Sequence, residues 1–124
     1  MGDEQHTTRV RRVAEGVRIE LAELLASEVK DPGAAGAIIT RVEMANDLRS
    51  GKVLVRLLEG GDDLDRRKRL LDGLTRAKGM LRREVSQRLQ LRHAPELRFA
   101  YDTGLDHTNR VEQILAEINS ERRK

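Results

Sequence analysis

The chain has no cysteine and no tryptophan, and its 124 residues include one tyrosine, one phenylalanine and two prolines. Without cysteine there is no disulfide staple, no zinc finger and no thiol nucleophile. So few aromatics argue against an RRM or OB-type binder, which stacks bases on several rings. No stretch approaches the roughly 20 apolar residues that span a bilayer. The polar segment Met1 to Arg12 lacks the apolar run of a signal peptide, and His6 stands where a myristoylation site wants Ser or Thr. A soluble, cytoplasmic protein is expected. There is no P-loop, and Ser27, Ser50, Ser86 and Ser120 sit in helix or turn contexts without a nucleophile elbow. His6, His93 and His107 share no ligand spacing with one another or with a carboxylate pair. No enzymatic activity, metal or cofactor is expected.

What the chain does have is charge, unevenly placed. Charged residues make up 36% and hydrophobic residues 38%, for a net charge of only +3. From Arg66 to Arg92, however, ten Lys/Arg face only Asp72 and Glu84, so this segment carries +8 and the remainder −5. Such asymmetry points to an anionic partner for one part of the molecule.

The apolar residues are periodic enough for one folded domain of this length. Residues 1–7 read as a disordered arm, 8–119 as the domain and 120–124 as a frayed tail. Val10, Val13, Val17, Leu21, Leu24 and Leu25 form the stripe of a first helix, capped by Thr7 or Thr8 and ending near Glu28 to Val29. Lys30-Asp31-Pro32 cannot continue it. Gly33-Ala34-Ala35-Gly36 has the GxxG spacing of a nucleic-acid clamp. It leads from helix to strand, however, and holds no basic residue, so it reads as a flexible connector.

Residues 37–45 and 52–58 alternate as two strands of an antiparallel hairpin. In the first, Ile38, Val42 and Met44 share one face, with Ile39, Arg41 and Glu43 on the other. Leu54 and Leu58 make the second strand apolar on both faces, as a central or well-covered strand would be. Asp62, Asp63 and Asp65 suit a helix start, and Leu70, Leu74, Ala77, Leu81, Val85 and Leu89 carry the helical period onward. Gly79 falls in its middle, and a break there is expected. Leu97 to Tyr101 form a third strand, whose Phe99 and Tyr101 belong to the core. A last helix runs through Leu105, Val111, Leu115 and Ile118. The fold class is α+β, in the order α-β-β-α-(kink)-α-β-α.

Arg69, Arg76 and Arg83 lie seven apart, opposite the leucine stripe, and Lys78 and Arg82 flank the Gly79 break. Cations along a helix neutralise successive phosphates and release their counterions. The alternative is a merely solvated face, but such faces usually interleave both signs, and here acids are nearly absent. Arg69, Arg76, Lys78, Arg82, Arg83, Arg88 and Arg92, with Ala77 and Gly79 at the break, are the candidate RNA contacts.

Val29-Lys30-Asp31-Pro32, then Ala77-Lys78-Gly79, then Leu91-Arg92-His93-Ala94-Pro95-Glu96-Leu97-Arg98-Phe99 occur in this order across a segment, Arg9 to Ile118, that resembles ribosome-binding factor A. The resemblance implies a type-II KH-like domain, with a three-stranded sheet packed against helices, whose Ala77-Lys78-Gly79 kink replaces the GxxG loop and faces RNA. It further implies a monomer that binds the small (30S) ribosomal subunit without catalysis and assists late maturation of the 5′ region of 16S rRNA. A ribosome-dependent GTPase that promotes release, and a role in growth in the cold, belong to the same expectation. Two other readings share the basic segment: a KH-like RNA or DNA binder not dedicated to the ribosome, and an adapter whose basic face meets an acidic protein.

Overall fold

The computed structural model describes residues 2–104. The chain runs through α1 (Gly2–Ser27), a 3₁₀ turn (Pro32–Ala34), β1 (Ala37–Met44), β2 (Ser50–Leu57), α2 (Leu64–Arg88) and β3 (Glu96–Tyr101). Its α+β, KH-like arrangement is the expected one. The expected last helix and tail lie outside the described residues.

Two helix boundaries depart from expectation. α1 begins at Gly2 and not after Thr7. No proline interrupts residues 2–7, so nothing in this segment stops the helix from continuing through it. α2 passes through Gly79 without a break into two elements. Glycine in a helix interior is about 1 kcal/mol less favourable than alanine, but it keeps its amide donor. The packed leucines on either side hold the helix together. Asp63 caps its start, accepting from the Asp65 amide at 3.0 Å and the Arg66 amide at 3.4 Å.

The sheet order is β1-β2-β3, with β2 antiparallel to β1 and parallel to β3. β2 is therefore central, as its double-sided apolar pattern implied. Val53, Val55 and Leu57 of β2 and Leu97 of β3 face one side and join Val17, Leu21 and Leu24 of α1 with Leu70, Leu74, Leu81 and Val85 of α2 in one core. Lys52, Arg56 and Arg98 alternate to the other side and are exposed. Leu54 shares that side yet is buried, whereas Leu58, past the strand end, is exposed.

The inward set of β1 is not the expected one. The register jumps between Ile39, opposite Val55, and Arg41, opposite Leu54. This bulge at Thr40 inserts one residue into the alternation and reverses its phase. Ile39 and Val42 are thus both buried, and Ile38 is only half-buried.

The Gly33–Gly36 connector is docked and not loose. Asp31 caps the 3₁₀ turn through the Gly33 amide at 2.9 Å. A Cβ added at Gly33 would lie 2.6 Å from the Arg69 carbonyl oxygen, and one added at Gly73 would lie 3.1 Å from the Ala34 nitrogen. These two glycines bring the turn and α2 into backbone contact. Phe99 and Tyr101 pack against the core, as expected. The Tyr101 hydroxyl accepts from the Leu57 amide at 3.1 Å, and the Arg67 guanidinium lies 4.4 Å from the ring centre.

Candidate nucleic-acid interface

The leucine stripe of α2 is turned to the core, so helical geometry turns Arg69, Arg76, Gly79 and Arg83 outward. All four are exposed. A Cβ added at Gly79 would meet nothing within 4 Å, so this glycine answers no packing demand of its own chain. Ala77, by contrast, is half-buried against the core.

The expectation that the cations lack acidic partners is not met. Most of the partners come from other elements. Arg76 grips Asp31 with Nε to Oδ2 at 2.8 Å and Nη2 to Oδ1 at 3.1 Å. Lys78 Nζ and Arg82 Nη1 converge on the two carboxylate oxygens of Glu96, at 3.1 and 3.2 Å. Arg82 also donates to the Pro95 and Ala94 carbonyls, at 2.9 and 3.2 Å. Arg88 reaches Glu20 of α1 at 3.1 Å, with Glu84 at 3.8 Å and Glu23 at 3.9 Å. Arg69, Arg83 and Arg92 make no ion pair among the described residues.

The candidate residues therefore divide by task. Arg76, Lys78, Arg82 and Arg88 fasten α2 to the 3₁₀ turn, to β3 and to α1. Arg69 and Arg83 remain available along the outer line that contains Gly79, and Arg92 lies beyond the helix end. The electrostatics agree with this division. The Asp31 carboxyl is held below its ordinary pKa, first by the hydrogen bond from Arg76 and then by the Gly33 amide. Glu96 is held down by the hydrogen bond from Lys78, with the charges of Arg82 and Lys78 adding to it. Both are ionised at neutral pH and take positive potential away from the cations they hold. Asp31 and Glu96 lie outside the helix that they neutralise, so the basic segment by itself carries no sign of them.

An outward line of arginines around an uncovered glycine is a surface on which a polyanion's backbone can come close. The family model for ribosome-binding factor A matches residues 9–115. The chain belongs to this family. Among curated members, the ribosome-binding factor A of Sorangium cellulosum is 46% identical over 110 residues, covering 89% of this chain and 88% of its own. That of Desulforamulus reducens is 41% identical over 116 residues, covering 94% of each. The crystal structure of ribosome-binding factor A from Thermus thermophilus superposes with a TM-score of 0.65 at 21% identity, covering 74% of this chain and 93% of that one. A Thermotoga maritima protein solved in solution gives a TM-score of 0.57 at 28% identity, covering 82% and 91%. Members of the ribosome-binding factor A family thus share with this chain both sequence along nearly its whole length and the fold.

Proposed function

We propose that this chain is a non-catalytic assembly factor that binds the small ribosomal subunit in the cytoplasm, by way of the 16S rRNA. Family membership supports the ribosome as partner. The observation that carries the mode of binding is the line Arg69–Gly79–Arg83 on α2, cationic and uncovered at its centre. Arginine's fork matches a phosphate in two-pronged geometry, and a glycine lets a backbone approach where any side chain would hold it off. Arg76, Lys78 and Arg82 adjoin this line and contribute by exchanging a carboxylate for a phosphate.

With one tyrosine and one phenylalanine in the chain, both on β3 and both packed on the core, base stacking has little to work with. Recognition rests on backbone and shape. On this reading the protein acts as a monomer that holds folded rRNA during late maturation of its 5′ region. A GTPase working on the ribosome releases it.

Co-sedimentation of the purified protein with separated small and large subunits tests the reading. Selective travel with the small subunit is expected. Travel with neither at low salt removes the ribosome as partner. Retention of dispersed nucleic acid would favour a general KH-like binder, and partners that survive nuclease treatment would favour a protein adapter.

A further inference from the structure

Arg92 does not join the Gly79 line. It lies just past the C-terminal end of α2, in a groove of about 760 Å³ where α1, the β1–β2 turn and the α2–β3 loop meet. Arg9 of α1 and Arg49 of the turn stand with it, so three elements each supply one arginine, none ion-paired among the described residues. Val13, Leu89 and Leu91 supply apolar lining. Asp47, the one acid lining the groove among the described residues, is committed to the turn, accepting from the Arg49 amide at 3.0 Å.

A second, independent observation falls on the same place. Leu48 and Gln90 are the two non-glycine residues with positive φ among the described residues, at 61° and 54°, and both line this groove. Each occupies a position that ordinarily favours glycine. Gln90 is the left-handed residue of a Schellman helix end: its amide bonds the Gln87 carbonyl at 3.2 Å, and the Leu91 amide bonds the Ser86 carbonyl at 2.9 Å. Leu48 closes the β1–β2 turn, its amide bonding the Ala45 carbonyl at 2.9 Å. The two loops are tied together by the Glu96 amide, which bonds the Arg49 carbonyl at 2.8 Å. Left-handed backbone on a side chain other than glycine costs free energy, and it gathers at binding sites where the surroundings enforce it.

We propose that this groove is a second nucleic-acid site, which takes an unpaired RNA strand with its phosphates on Arg9, Arg49 and Arg92 and a base against Val13, Leu89 and Leu91. The proposal rests on the reading that this chain binds RNA, and it adds a single-stranded contact distinct from the α2 line. The rim is made of arginine and not lysine, so its planar guanidinium groups pair with phosphate and also stack on base faces, which the aromatic-poor chain otherwise cannot offer. A site of this size falls within the range that holds a ligand of nucleotide scale.

The test is fluorescence anisotropy of a labelled uridine pentamer with the full chain. Arg49→Ala/Arg92→Ala is expected to weaken binding at least tenfold and to make the slope of log K against log salt shallower by about 1.4, the value for two phosphates of a single strand. Lys30→Ala/Arg56→Ala removes the same charge elsewhere and is expected to change affinity less than twofold. Leu48→Gly loses no charge, is expected to melt no lower than wild type, and should weaken the pentamer at least threefold. Equal losses in the two arginine-containing doubles, or wild-type affinity in the groove variants, overturn the proposal. So does a groove that retains a glutamate decapeptide in preference to the pentamer, since it would then be a protein-docking site. Pentamer binding by a protein that does not travel with small subunits would leave the groove assigned and remove the ribosomal reading.

Discussion

Asp31 and Arg76 stand 45 residues apart and meet in a two-pronged ion pair, at 2.8 and 3.1 Å. The same carboxylate caps the 3₁₀ turn through the Gly33 amide. One side chain thus fixes the shape of the Lys30-Asp31-Pro32 turn and its place on α2. Asp31→Ala is expected to lower the melting temperature and to speed hydrogen exchange at the Gly33 and Ala34 amides, while exchange at the core strands changes only with overall stability. Amide exchange followed by NMR or mass spectrometry reads this directly.

Gly73 and Gly79 lie six residues apart on α2, one buried and one exposed, and predict opposite outcomes. Gly73→Ala puts a Cβ 3.0 Å from the Asp31 carboxylate and 3.1 Å from the Ala34 nitrogen, and overpacking of that kind is expected to cost about 1–3 kcal/mol. Gly79→Ala meets open space and should gain about 0.5–1 kcal/mol from helix propensity. Urea titration separates the two. If the Gly79 line is the RNA face, the stabilised Gly79→Ala protein binds small subunits at least tenfold more weakly.

Charge reversal belongs at Arg69 and Arg83. Reversing Arg76 or Lys78 would also break the attachment to Asp31 or Glu96, so lost binding there would have two explanations. Arg69→Glu/Arg83→Glu is expected to leave the melting temperature nearly unchanged and to abolish co-sedimentation with small subunits at moderate salt. In the wild type, log K should fall linearly with log salt, because released counterions drive phosphate contact. A flat dependence would exclude that mode of binding.

Acid should loosen α2 from its neighbours. Asp31 and Glu96 both have pKa values lowered in the folded state. Each therefore contributes stability that is fully present above the unfolded carboxylate values of about 4 and is lost as pH falls through the lowered folded values. Thermal melts should be flat between pH 6 and 8 on this account and drop in the acid range. The acid drop should be smaller for Asp31→Asn/Glu96→Gln, which starts from a lower plateau.

The core predicts a plain loss of stability. Leu74 and Leu81 are fully buried between α2 and the sheet side of the core, so truncation of either to alanine should cost about 2–5 kcal/mol. Chemical denaturation with an unchanged m-value would verify that only stability moved.

Much of the fold was legible in the residues. Strict alternation around a turn-rich stretch located the hairpin, and Leu54 marked β2 as central before any pairing was known. Periodicity failed where one residue changes its phase: the bulge at Thr40 exchanges Ile38 for Ile39 in the core and leaves no compositional mark. Gly79 misled in a different way, since a glycine lowers helix propensity without removing a hydrogen bond, and packing on both sides outweighs it. The site was half legible. The outward arginines follow from spacing alone, but Asp31 and Glu96 become neighbours of α2 only through the tertiary fold. Arg9 and Arg49 lie outside the basic segment, and a left-handed Leu48 or Gln90 has no sequence signature.

The parallel pairing of β2 with β3 has a consequence for how the chain is made. Lys52 lies opposite Arg98, and everything between them, α2 included, must be synthesised before that ladder can close. Until then the nascent chain holds two helices and a two-stranded hairpin, with the third strand of the sheet missing. The pocket that Leu97 fills stays open, exposing Val53, Val55 and the leucines of both helices. Folding is thus expected to be a late, concerted event during translation, triggered when the segment from Glu96 to Tyr101 leaves the exit tunnel. A ribosome stalled before that point would carry a protease-sensitive chain, and one stalled well after it a resistant domain.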